Sequence, residues 1–274
     1  MKILKLLIQI IQLVSPTVAA KRVYTLVSRP RMRKPKAHEE VVLSQAEQQF
    51  VTYKHFKLRQ YSWGETTDKT ALLVHGWEGR TGNFAALIPI LLQKGYQVVA
   101  FDAPSHGNSS QGETHMFDFA DFLAEVLSQF TPQVIISHSF GSVNTATVLR
   151  KLPSLSIRNW FLVTTPHTFS SWIEQVSSLL NLSKRAHRAL TEKFEQVIGE
   201  KVSNLDMAAY CRTIQNVEKA IIIHSKTDKV LPIEGARKVH NAFKQSQMIE
   251  LDRLGHYAIL WSEEMKKIVA EKLI

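Results

Sequence analysis

The chain predicts an α/β fold: a mostly parallel sheet with helices on both faces and a small helical cap. Three observations carry that expectation. Short apolar runs alternate with stretches of helical periodicity from residue 70 onward. One of those runs, Val134-Ile135-Ile136, stops abruptly at a Ser flanked by small residues. The 274 residues, 45% of them hydrophobic, can fill the large core that a single α/β domain requires.

The first 45 residues form an amino-terminal arm. Lys2, Lys5, Lys21, Arg22, Arg29, Arg31, Arg33, Lys34 and Lys36 lie there, and no acid precedes Glu39. From Glu39 onward the chain holds 25 basic and 24 acidic residues, so nearly all of the net charge of +10 belongs to residues 1–38. A distributed nucleic-acid surface is not implied. Residues 3–14 are apolar except for Lys5, Gln9 and Gln12, which with Lys2 make a narrow polar stripe at helical spacing. Three readings stand. The stretch is an amphipathic helix that packs on the protein or lies at a membrane surface, a signal peptide cut after Val18-Ala19-Ala20, or a disordered tail. It is too short to cross a bilayer. Pro30 and Pro35 keep the basic run at 29–36 from being a regular helix, so it is a solvated linker or a contact for anionic lipid. The expected location is cytoplasmic, with peripheral membrane contact through residues 1–38, or exported if residues 1–20 are a signal.

Residues 50–63 suit an antiparallel opening hairpin. Runs at 70–75, 97–102, 133–137, 160–165, 220–224 and 247–251 are short apolar strands. Helical stretches fall at 83–94, 117–130, 139–152, 233–243 and 258–274. Between Pro166 and Cys211 no strand-like run occurs. Phe169, Trp172, Ile173, Val176 and Leu180 share one helical face; Ala186, Leu190, Phe194, Val197 and Ile198 suggest a second helix, N-capped by Ser183. Structureless loops of this length are uncommon. A helical cap is therefore expected at 168–212, inserted into a core of 46–167 and 213–274.

The segment Ser137-His138-Ser139-Phe140-Gly141 has the form G-x-S-x-G with Ser at the first Gly. It places a Ser at the apex of a sharp strand-to-helix turn, next to the helix's free N–H groups. Asp228 follows the apolar run at 220–224, and His256 follows the run at 247–251. Leu72-Leu73-Val74-His75-Gly76-Trp77 is similar to a strand leading into a His-Gly-X loop. Phe101-Asp102-Ala103-Pro104-Ser105-His106-Gly107 is similar to F-D-x-P-G-H-G, with Ser105 at a Gly position. With the order Ser, Asp, His, these four blocks resemble the α/β-hydrolase fold family, its serine esterase and lipase-like branch, from about residue 50 to the end.

That resemblance implies Ser139 as nucleophile, His256 as base and Asp228 as the acid orienting it, with Asp102 the competing acid. It implies an oxyanion hole from the N–H groups of Trp77 and Phe140, and a lid at the insertion. Trp77, Phe169, Trp172 and Phe194 are candidates to line a substrate pocket. His75 and His106 are expected to hold their loops through backbone hydrogen bonds, His138 to fill space beside Ser139, and His224 to be a packed ring. Cys211 reads as a packed residue. No metal motif occurs, and Gly76–Gly82 lacks the Lys of a phosphate loop, so neither metal nor cofactor is expected. The expected substrate is a small-molecule acyl ester. Thioester or other acyl hydrolysis on the same residues, or a catalytically silent ligand-binding protein, are the alternatives.

Overall fold

A computed structural model describes residues 2–31 and 35–273. Its strands are β1 Glu47–Tyr53, β2 Phe56–Trp63, β3 Thr70–Val74, β4 Gln97–Phe101, β5 Val134–His138, β6 Ile157–Val163, β7 Val217–Ser225 and β8 Ser246–Leu251. Its α-helices are α1 Lys2–Val14, α2 Pro16–Val27, α3 Ala37–Leu43, α4 Ile88–Gln93, α5 Asp118–Gln129, α6 Phe140–Lys151, α7 Phe169–Leu180, α8 Lys184–Ile198, α9 Met207–Thr213, α10 Ile233–Ala242 and α11 Glu263–Lys272.

The chain divides into two compact units, one of residues 30–166 and 207–274, the other of 1–29 and 167–206. The expected boundaries differ from these. The arm and the insertion share one unit, while α3 and α9 belong to the sheet.

In the first unit the eight strands form one sheet in the order β1-β2-β4-β3-β5-β6-β7-β8. The β1–β2 hairpin and its pairing to β4 are antiparallel, and every other pairing is parallel. Strands β3 and β5 are buried at every position, as parallel strands covered on both faces must be. The register pairs Val74 with Ser137 and His138 with Val163. The carboxyl ends of β3, β5 and β6 therefore finish level, which is where an open α/β sheet gathers its loops.

Two expected helices are interrupted, for local reasons. Over 83–94 a 3₁₀ turn, Thr81–Phe84, precedes α4, because Pro89 has no N–H to give and is tolerated only in a first helical turn. Over 258–274 a 3₁₀ turn, Ala258–Trp261, ends at Ser262, whose hydroxyl accepts from Met265 N–H (3.1 Å) and starts α11 afresh. The last residue of that expected helix lies outside the described residues.

The second unit contains α1, α2, α7 and α8. Ser15 caps α2 through Val18 N–H, with Pro16 in its first turn, and Ser183 caps α8 through Ala186 N–H (3.2 Å). Small residues Ala19 and Ala20 on α2 are buried with Val23 and Tyr24, and α8 buries Ala186, Leu190 and Phe194. The residues expected before a signal cut thus lie within α2. Rings of Phe169, Trp172 and Phe194 meet at centroid distances of 5.1 to 5.6 Å, and Tyr24 joins Phe194 at 5.0 Å. His187 meets the Ser177 hydroxyl at 2.8 Å, tying α8 to α7.

Candidate active site

Strand β5 turns into α6 at Ser139, whose backbone sits at φ +53°, ψ −125°. An L-residue rarely takes that conformation, so the surroundings must hold it there. Two small residues permit the turn. At Gly141 a Cβ would overlap the carbonyl oxygen of Val74 and lie 2.7 Å from that of His75. Ser137, at the other position, lies fully buried; its hydroxyl accepts the indole N–H of Trp160 (2.8 Å) and meets that of Ser142 (2.9 Å). The departure from Gly thus adds an anchor between β5 and β6. The Ser139 N–H donates to Val163 C=O (2.8 Å), which fixes the apex against β6.

The loops after β7 and β8 bring two more side chains to that apex. His256 Nε2 lies 3.0 Å from Ser139 Oγ, and His256 Nδ1 lies 2.7 Å from Asp228 Oδ2. Asp228 Oδ1 also accepts from Val230 N–H (2.7 Å) and Leu231 N–H (3.1 Å). Burial alone would push this carboxyl up. The bond from His256, the facing imidazole and the two N–H groups outweigh it and hold Asp228 below the usual carboxylate range. An ionised Asp228 can only accept, so Nδ1 carries the ring proton and Nε2 presents a lone pair to the Ser139 hydroxyl. Ser139 is half-buried while the Asp228 side chain is fully buried, so the row runs from the interior toward solvent.

Asp102 does not meet His256. Its carboxylate accepts from Thr81 N–H (2.8 Å), Asn108 N–H (2.7 Å) and Tyr61 OH (3.3 Å), fastening the loop after β4. Burial raises its pKa despite those bonds. His75 and His106 brace the same region. Nδ1–H of His75 donates to Gly76 C=O and its Nε2 accepts from Ala103 N–H; His106 does the same with Pro104 C=O and Glu78 N–H. Burial holds His75 at about 4 and His106 at about 3, so both are neutral and each can accept as well as donate.

His138 does more than fill space. Buried and held at about 3, it donates Nε2–H to the carbonyl oxygen of His256 (2.9 Å). His224, lowered mainly by burial, donates Nε2–H to Leu231 C=O (2.9 Å) at the Asp228 loop. Each ring thus clamps the backbone of a loop that supplies a site residue. Arg31, expected in a free basic run, makes two 2.7 Å bonds to the Glu78 carboxylate beside the His75-Gly76-Trp77 loop. The nearby Lys36 stacks on Trp261 at 4.3 Å, and Met32 to Lys34 lie outside the described residues. No local pattern links Arg31 to a Glu 47 positions away, so periodicity had no means of finding it.

A pocket of about 240 Å³, open mouth included, is walled by Phe140, the residue after Ser139, and not by Ser139 itself. Gly76, Trp77, Met116, Phe119, Phe140 and Asn144 are among its walls. A Cβ at Gly76 would stand 2.9 Å from Ser139 Cβ and 3.1 Å from Phe140 N, so that loop lies directly on the elbow. Of the four pocket candidates Trp77 lines this space, and its carbonyl accepts from Tyr257 OH (3.3 Å). Phe169, Trp172 and Phe194 are in the helical unit, where they pack on one another, because residues three or four apart on a helix share the face it buries. Cys211 is buried in α9.

The eight-stranded sheet with a Ser-bearing turn after β5 has counterparts among known proteins. A family model described as the alpha/beta hydrolase fold matches residues 70–197. The chain has the α/β-hydrolase fold. The chain is 21% identical over 245 residues to an uncharacterized hydrolase of Bacillus subtilis, covering 75% of this chain and 88% of that one. A serine hydrolase-like protein of Danio rerio is 35% identical over 91 residues, 31% of this chain and 28% of that protein. Among solved structures, an esterase of Pyrococcus furiosus superposes with TM-score 0.63 at 18% identity, over 89% of this chain and 95% of that one. A thioesterase domain from the curacin biosynthetic pathway gives 0.61 at 17% identity, over 82% and 98%. At such identities the likeness is one of fold.

Proposed function

We propose that this α/β-hydrolase is a serine hydrolase that cleaves carboxylic esters through an acyl-enzyme on Ser139. The observation that carries the reading is the hydrogen-bonded row Asp228, His256, Ser139, with the Ser at a strained apex. His256 Nε2 takes the Ser139 proton as Oγ attacks the ester carbon. Asp228 holds the ring and stabilises its imidazolium form. The N–H groups of Trp77 and Phe140 receive the oxyanion, each contributing about 3 kcal/mol to the transition state. The tetrahedral species collapses and the alkoxide leaves with the proton from His256. Water then gives its proton to His256 and attacks the acyl carbon, and collapse returns Ser139 and frees the carboxylic acid. His138 and His224 act as positioning residues, through the backbone of the loops that carry His256 and Asp228.

The pocket suits an apolar acyl group. Trp77, Met116, Phe119 and Phe140 make most of its wall apolar.

The test is Ser139→Ala, assayed on nitrophenyl esters of graded acyl length and with a fluorophosphonate probe. Turnover is expected to fall by roughly four to six orders of magnitude and labelling to vanish, at unchanged melting temperature. Substantial turnover by a folded Ser139→Ala protein would overturn the assignment of the nucleophile.

A further inference from the structure

Helix α1 is apolar on two sides. Ile8 is buried, and Leu4, Ile11 and the polar stripe of Lys5, Gln9 and Gln12 are half-buried around it. Gln12 donates to Asn181 C=O (3.0 Å) and accepts from Ser183 N–H (2.7 Å), locking α1 onto the turn between α7 and α8. Ile3, Leu6, Leu7, Ile10, Leu13 and Val14 recur at helical spacing on the opposite side, and each is at least half exposed, Leu13 and Val14 more than 80%. Val18 on α2 and Leu179 at the end of α7 are exposed as well. Surface helices of soluble domains turn the apolar stripe inward, and a contiguous exposed patch of large aliphatics marks something that covers it.

Charge identifies the cover. Residues 1–29 carry five basic and no acidic side chains. Lys21, Arg22 and Arg29 are exposed on and just after α2. Lys184, Arg185 and Arg188 are exposed on the first turns of α8, directly after the Ser183 that binds Gln12. An aliphatic face bordered by cations and free of acids matches acyl chains beneath anionic headgroups. The helix has 13 residues, about 20 Å long, too short to cross a hydrocarbon layer of about 30 Å. It can lie in the plane of the interface. The basic run at 29–36 contributes less than its sequence suggests, since Arg31 pairs with Glu78 and Lys36 with Trp261.

We propose that the exposed face of α1 is a binding site for an anionic lipid surface, with Ile3, Leu6, Leu7, Ile10, Leu13 and Val14 inserted among the acyl chains. Exposed cations of α2 and α8 hold the headgroups. The polar stripe keeps this face outward, because Gln12 hydrogen-bonds backbone groups that the turn between α7 and α8 leaves open.

The full chain is sedimented with phosphatidylcholine vesicles, with and without phosphatidylserine, at low and high salt. It is expected to bind the phosphatidylserine vesicles and to be released as salt rises. Leu6→Glu/Ile10→Glu changes only exposed positions and should weaken binding about tenfold or more at unchanged melting temperature. Lys21→Glu/Arg22→Glu leaves the apolar face intact and should weaken binding to the anionic vesicles alone. Val41→Glu, at an exposed apolar position on α3, should bind as the parent does. Equal sedimentation of the parent and the Leu6→Glu/Ile10→Glu protein overturns the proposal. So does a concentration-dependent dimer, seen by analytical ultracentrifugation, that this variant abolishes while neither protein binds vesicles; the occupant would then be a second copy. Ester turnover plays no part in these readings, so they stand or fall apart from the role of Ser139.

Discussion

In the sheet unit the side chains of the candidate site, Ser139, Asp228 and His256, stand just beyond the carboxyl ends of strands and are hydrogen-bonded in a row. In the helical unit the buried side chains are mostly aliphatic and aromatic, Ile8 of α1 among them, and Gln12 beside it bonds backbone groups of a turn. The difference follows from what each architecture gathers. Level ends of parallel strands bring together residues remote in sequence, so Ser139, Asp228 and His256 meet although 89 and 28 positions separate them in turn. Packed helices gather residues three and four apart, as with Phe169 and Trp172. Convergence of distant groups supplies chemistry; a repeated local face supplies packing. Substitutions of the converging site residues should therefore change turnover out of proportion to stability, and those in the helical unit the reverse.

The largest expected effect is at Asp228. Asp228→Asn removes the charge that fixes the His256 tautomer and should lower kcat about 10⁴-fold with little change in melting temperature. Asp102→Asn sets an NH₂ against one of the backbone N–H donors of Thr81 or Asn108. It should cost about 1–3 kcal/mol of stability and leave most of the turnover of the folded fraction. Steady-state kinetics with thermal melts of both proteins checks this. The reverse pattern would move the orienting acid to Asp102 and break the distinction between a reacting carboxylate and a loop-holding one.

Next in size is the aromatic cluster of the helical unit. Phe194 is buried among Tyr24, Phe169 and Trp172. Phe194→Ala leaves a cavity that helices anchored at both ends cannot fully close, and should cost about 3–5 kcal/mol in urea unfolding. The acyl-length profile should stay as it was. A shifted profile with unchanged stability would show that these rings meet substrate, and the contrast between the units would fail.

Sequence made legible what is written locally. The central strands are short apolar runs bounded by polar or turn residues, and the elbow, the His75 loop and the Asp102 turn are contiguous motifs; β1, Glu47–Tyr53, is largely polar and begins three residues before the expected hairpin. Ser183 as the cap of α8 was legible because one hydroxyl and the helix after it specify the feature. The breaks before Ile88 and at Ser262 are equally local, carried by Pro89 and a capping Ser, but the helical period ran through them. What could not be read is direction and distance. Periodicity established that α1 has two faces and left open which one packs, since that depends on open backbone groups near Asn181 and Ser183. The bond from His138 to the His256 carbonyl spans 118 positions and has no sequence signature. Pairing of the arm with the insertion is likewise a contact between segments separated by residues 30–166, which hold six of the eight strands.

The smallest effect separates the units by acid. Burial holds His75 at about 4 and His106 and His138 at about 3, all in the sheet unit. In the unfolded chain these rings titrate near the usual 6.5. Above about pH 7 they are neutral in both states and contribute no pH dependence. As pH falls below about 6.5 the unfolded chain takes up protons that the folded chain refuses, so unfolding gains and stability falls. Each ring then adds up to about 1.4 kcal/mol per pH unit to the slope, until pH reaches its folded value. Asp228, held below its usual range, works in the same direction at lower pH: its stabilisation is present above the unfolded value and lost as pH drops through the folded one. Urea midpoints at pH 7, 6 and 5 should decline accordingly. His106→Gln removes one of the three rings, so its stability should fall less steeply between pH 6 and 4, by about one proton's worth of slope. Parallel curves for parent and variant would mean that His106 is not held neutral by the fold. The bracing of the Glu78 loop through a neutral acceptor nitrogen would then need another explanation.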